Sequence, residues 1–122
     1  QEEQVFGDTD ILLVGDYNCY TQEQPIQTII RAGYEDMVMR YDSTGYSYIY
    51  NSEAGYLDRV FASPTMAAQI QQVSPYHLNA DYFYTRGYKR GLDKTIYRYA
   101  DHDPILISVR LVEDNADNYN QQ

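Results

Sequence analysis

The sequence predicts a small α+β, or layered α/β, domain with a mostly antiparallel sheet and one or two short helices. Three observations carry this. Apolar residues come in short runs bounded by Gly, Pro and Asn, the length of strands rather than of long helices. Clear helical spacing occurs in one stretch, "PIQTIIRAGY". The candidate elements run strand, helix, hairpin, strand, loop, strand, which is not the regular alternation of a doubly wound sheet.

Each element has a local reason. "ILLV" (11–14) is apolar at successive positions and reads as a strand buried on both faces. "GDYNCY" ends it with small and polar groups. A helix follows from about Gln24 to Ala32: Pro25 suits a first turn, Ile26, Ile29 and Ile30 share a face, and Gly33 suits the stop. "YEDMVMRY" is ambiguous between a helix and an irregular crossing. "YSYIYNSEAGYLDRVFAS" reads as a hairpin of strands 46–51 and 56–63, turned at Gly55. "PTMAAQI" starts a helical turn at Pro64, and "QQVSPYHLN" reads as a strand that its proline makes an edge or an interruption. Residues 80–98 read as a long polar loop, and "PILISVRLV" (104–112) as the last strand.

The chain of 122 residues suffices for one domain, taken here as residues 10–112 between a polar N-terminal tail (1–9) and an acidic C-terminal one (113–122). Its polar opening runs almost at once into a strand pattern, as a segment entering mid-fold would. With 43% hydrophobic residues the composition is globular. The longest apolar run, Ile11–Val14, is far short of a membrane span. A net charge of −9 argues against non-specific binding of nucleic acid by charge alone. The charge is uneven, however. Arg86, Lys89, Arg90, Lys94 and Arg98 face only Asp93 within 86–98, five cations against one acid, a local charge of +4. Cys19 is the one cysteine, so internal disulfides and cysteine-pair metal sites are excluded.

Three polar clusters stand at strand ends. Asp16 and Asn18 follow the first strand; two residues apart, they share a side if the chain stays extended, and their oxygens suit a hard cation such as Mg2+. Read alone, an Asx turn is the commoner meaning. Asp58 lies inside an apolar strand, where an unpaired acid is costly. Arg59 points to the opposite face, so Asp58 needs another partner, and a histidine is a good candidate. Asp101-His102-Asp103 precedes Pro104. In an extended chain the two acids would face away from His102, so a shared site requires a turn there. His77 reads as a packing or hydrogen-bonding residue.

As an ordered set, "ILLVGDYN", "YSYIYNSEAGYLDRVFAS", "YHLNAD" and "YADHDPILISV" resemble the C-terminal half of the endonuclease/exonuclease/phosphatase superfamily, with bacterial extracellular nuclease-like members closest in motif style. The resemblance covers most of residues 10–112. It implies one half of a four-layer α/β sandwich and hydrolysis of phosphoesters by metal-assisted attack of water. Asp16 and Asn18 would hold the attacking water and contact the phosphate. Asp101 would bind the divalent metal (Mg2+, or Mn2+ or Ca2+), and His102 would bind the phosphate and take part in proton transfer. Asp58 would pair with His102 and orient it. Asp103 is read as a structural turn residue. Arg86, Lys89, Arg90 and Arg98 are candidates for contacts to substrate phosphates, those of nucleic acid among them.

The departures are specific. Ala100 stands where the family has serine before its Asp-His pair, and Tyr17 where it has phenylalanine. Arg59 after the acid matches only some branches. The family's metal-binding glutamate belongs to an N-terminal half that has no counterpart in these residues. The resemblance therefore implies self-association or pairing with such a half, and an isolated segment with little or no turnover. Its extracellular relatives hint at a secreted or periplasmic setting. A non-catalytic binding module that keeps the fold is the alternative.

Overall fold

A computed structural model of the chain describes residues 7–82, 97 and 99–112. It is a small α+β domain of seven strands and three short helices among the described residues. In order these are β1 (Leu12–Asp16), α1 (Gln24–Arg31), β2 (Glu35–Asp36), α2 (Met37–Tyr41), β3 (Tyr48–Tyr50), β4 (Glu53–Gly55), β5 (Asp58–Ala62), α3 (Pro64–Ala67), β6 (Ile70–Pro75) and β7 (Ile105–Val109). All pairings are antiparallel: β1-β5-β2, β3-β4 and β6-β7.

The helix α1 forms as its sequence predicts. Pro25 sits in the first turn, and Gly33 takes φ +102° just beyond the end, where its N–H donates to the Ile30 carbonyl. Ile26 is fully buried. The ambiguous "YEDMVMRY" becomes a helix preceded by a short paired strand rather than by an irregular crossing. Glu35 and Asp36 pair with β5, then Asp36 caps α2 by accepting from the Met39 N–H at 3.1 Å.

The hairpin differs from the sequence reading. Its turn is Asn51-Ser52, not Gly55. Both residues take positive φ (49° and 66°), the conformation of a two-residue turn whose twist matches the strands it joins. Gly55 lies within β4, opposite Tyr48. Residues 58–62 leave the hairpin and become the central strand between β1 and β2. A strand of five residues with Val60, Phe61 and Ala62 buried gains more as the centre of a sheet than as a hairpin arm.

The first strand also departs. β1 is an edge strand, and Val14 is 57% exposed, so "ILLV" is not covered on both faces. The last strand is shorter than 104–112, and within it Ile105, Ile107 and Val109 are half-buried while Leu106 is 53% exposed. The core gathers Met37, Val38, Val60, Ala62, Met66, Ile70 and Val73, with Leu12, Ile105 and Ile107 against it. Arg59, beside Asp58 on β5, points the other way and pairs with Asp36 at 2.9 Å. Both tails' outer residues, 1–6 and 113–122, lie outside the described residues, as do 83–96 and 98 of the predicted loop.

Candidate active site

The site is built by register. β1 and β5 pair so that Asp16 stands opposite Asp58 at the end of both strands. His102 comes to them from 44 residues away: its Nδ1 lies 2.8 Å from Asp58 Oδ2 and 4.0 Å from Asp16 Oδ2. The partner of His102 is thus Asp58, in a strand, and not an acid beside it in sequence. With the Asp58 carboxylate accepting, His102 Nδ1 is the donor of this pair, and Nε2 is the ring's other nitrogen. The same Asp58 Oδ2 accepts from Ser47 Oγ at 2.6 Å, and Ser47 is fully buried. Two donors on one oxygen hold the carboxylate still, and the carboxylate holds the ring.

The turn that carries His102 is fastened at several points. The Asp103 N–H donates to the Ser47 carbonyl at 2.7 Å, and Asn79 Nδ2 donates to the His102 carbonyl at 2.8 Å. Asp103 is 2% exposed. Its Oδ1 accepts from the N–H groups of Leu78, Asn79 and Ala80 at 3.1, 2.7 and 3.0 Å, and its Oδ2 meets His77 Nδ1 at 2.8 Å. The sequence reading of Asp103 as a turn residue and of His77 as a hydrogen-bonding one matches this geometry. Tyr48 packs against His102, with ring centroids 4.6 Å apart. Ser47, Asn79 and Tyr48 escaped the sequence analysis, because their roles depend on neighbours far along the chain.

The other predicted site residues are placed differently. The chain does not stay extended after Asp16. Asn18 takes φ +48°, and its N–H donates back to Asp16 Oδ1 at 2.8 Å, an Asx turn. Asn18 is exposed, and Asp16 keeps a half-exposed carboxylate. Asp101 is exposed and stands outside the group of Asp16, Asp58 and His102, whose ligand atoms lie within 4.8 Å of one another. Arg86, Lys89, Arg90 and Arg98 lie outside the described residues. A hard cation favours carboxylates and water over imidazole, so of these three groups Asp16 is the one with the chemistry and exposure to meet such an ion. Asp58 is already engaged by Ser47 and His102.

No family model, curated protein or solved structure matches this chain.

An apolar groove of about 250 Å³ adjoins the site, lined by Val14, Val60, Ile105 and Ile107 together with Asp16 and Asp58. On another side stands Tyr46, stacked on His77 with centroids 4.6 Å apart and donating to Asp81 Oδ1 at 2.5 Å. That hydrogen bond, then burial, then the charges of Asp81 and Asp103 push the Tyr46 phenol up from 10.0 to about 12. A raised folded pKa stabilises the fold below the unfolded value, and the contribution disappears as pH climbs through the folded one. An alkaline titration of tyrosine absorbance is expected to lose one residue's share near pH 12 in Tyr46→Phe. Loss from the phase near pH 10 instead would mean that the Asp81 bond does not form.

Proposed function

We propose that this chain carries the histidine–aspartate part of a divalent-metal-dependent phosphoester hydrolase site, nuclease-like in type, within half of a four-layer α/β sandwich. The observation that carries the reading is the meeting of Asp16, Asp58 and His102 at one point, from two paired strand ends and a distant turn. Three such groups in one place, in the order the family resemblance implies, have a chemical use together. His102 Nε2 donates to a phosphoryl oxygen while Asp58 fixes the ring and steadies its charged form. Asp16, with Asn18 beside it, positions the attacking water and accepts its proton. Water oxygen bonds to phosphorus as its proton passes to Asp16, the ester P–O bond breaks, and the leaving oxygen takes its proton from Nε2 of the charged His102 ring, which is left neutral with its Nδ1–H still on Asp58. Asp16, with Asp101 as the further donor that the resemblance names, would hold the divalent cation, which would supply Lewis-acid stabilisation of the phosphoryl charge.

One observation favours a second reading, a non-catalytic module that keeps the fold: Asp101 stands outside the cluster. A Mg2+ titration followed by NMR separates the two. The hydrolase reading expects the carboxyl carbons of Asp16 and Asp101 to shift, with His102 ring signals following, and Asp16→Asn to abolish the response. Silence at all of these groups would leave only the binding module. The isolated chain is expected to hydrolyse bis-p-nitrophenyl phosphate feebly or not at all. Strong turnover lost in His102→Ala would overturn the proposed incompleteness of the site.

The exposed Val14 and the apolar groove that it lines with Ile105 and Ile107 support self-association or pairing with a complementary half. Sedimentation is expected to show an associated species that Val14→Asp disperses. A monomer at every concentration, unchanged by that substitution, would remove this part of the proposal.

A further inference from the structure

We infer that Tyr48 and Tyr50 form a stacking platform for a nucleobase beside His102, which makes the substrate a nucleotide or a short single strand; this rests on the phosphoester reading above. Tyr48 and Tyr50 project from the same face of β3, two residues apart, with rings within 9° of parallel and centroids 6.3 Å apart. Tyr48 lies against His102, so the ring row starts at the candidate chemical centre and runs outward. It ends on Tyr50, which is 60% exposed although it is a large ring next to a tight turn. Tyr50 precedes Asn51-Ser52, so the ring is presented from a rigid hairpin end rather than from a flexible loop.

The net charge limits the ligand to one with few phosphates. A chain of net charge −9 gains little from counterion release on a long polyanion. Aromatic stacking needs no cations, and every base has a flat face that a tyrosine ring can cover. Binding of this kind suits an unpaired base attached to the phosphate under attack, and not a duplex, whose bases are already stacked. A sugar or inositol ring can lay one C–H face on a tyrosine, but its hydroxyls need polar partners that two parallel phenol faces do not supply, whereas a base is flat on both sides.

The experiment uses the full chain without divalent metal and a dinucleotide probe, 2-aminopurine deoxynucleoside linked through phosphate to thymidine. Stacking on tyrosine quenches the 2-aminopurine emission, so binding is read directly. The wild-type chain is expected to quench it, with an affinity that changes little between low and physiological salt. Tyr50→Ala and Tyr50→Leu are expected to weaken binding about tenfold or more, and Tyr50→Phe to preserve it. The free 2-aminopurine deoxynucleoside, which has no phosphate for His102 to meet, is expected to be quenched more weakly but with the same dependence on Tyr50, so the stacking site stands even if the hydrolytic reading fails. The inference is overturned if the probe does not bind, if Tyr50→Leu binds as well as wild type, or if ribose 5-phosphate or phosphocholine competes as well as a nucleotide does.

Discussion

Replacing Asp103 by alanine is expected to cost about 3–5 kcal/mol, because two buried N–H groups, a part-buried one and a histidine lose their acceptor together. Such a loss is a large part of the stability of an ordinary domain. Urea unfolding checks it. The damage is also local to function: the residue before Asp103 is His102, and the Asp103 N–H ties this turn to Ser47, whose hydroxyl holds Asp58. Hydrogen exchange at Leu78, Asn79 and Ala80 is therefore expected to rise in the variant before global unfolding. Asp103→Asn keeps one acceptor oxygen for the three N–H groups and loses only the charge facing His77, so it is expected to cost about 1–2 kcal/mol. An alanine variant within about 1 kcal/mol of wild type would show that water replaces the carboxylate there and that the turn is held by other means.

The second large effect is at Arg59. Its guanidinium is 1% exposed, pairs with Asp36 at 2.9 Å, and donates through Nη2 to Thr21 Oγ1 and the Tyr56 carbonyl at 2.8 and 2.9 Å. Arg59→Met is expected to cost about 3–5 kcal/mol, since it leaves Asp36 as a buried charge without its cation. The double variant Arg59→Met, Asp36→Leu removes both charges and should recover most of this, less about 1 kcal/mol for the lost cap on α2. Arg59→Lys cannot reproduce three bonds from one planar fork and should fall between. A double variant no more stable than Arg59→Met would show that packing, and not the stranded charge, sets the cost. Arg59 matters to the site through register. With Arg59 locked on one face of β5, Asp58 is held on the other, toward His102.

Much of this was legible locally. Pro25, the isoleucine spacing and Gly33 define α1 without reference to the rest of the chain. Strand alternation alone requires Asp58 and Arg59 to face apart, and the need of a strand acid for a partner pointed to a histidine. The hairpin turn was misplaced because Gly55 is the residue most tolerant of positive φ, whereas Asn51 and Ser52 adopt it. Asparagine does so readily, and the remaining strain at Ser52 is small against the gain from closing β3 on β4. The burial of β1 was misjudged for another reason. An apolar run records what a strand would bury, not whether a surface is present to bury it, and Val14 stands exposed beside an open groove.

The sequence by itself determined α1, the strand character of β1, β5 and β7, and the opposite facing of neighbours on β5, because these depend on sterics and hydrogen bonds within a few residues. Only the tertiary structure decided that residues 58–62 join β1 and β2, and that Asp16 and Asp58 share a register. It alone brought His102 to Asp58 across 44 residues, and left Asp101 in solvent outside the cluster. Those outcomes follow from competition among distant pairings, in which buried area and satisfied backbone groups outweigh loop closure, and no local pattern records which pairing wins.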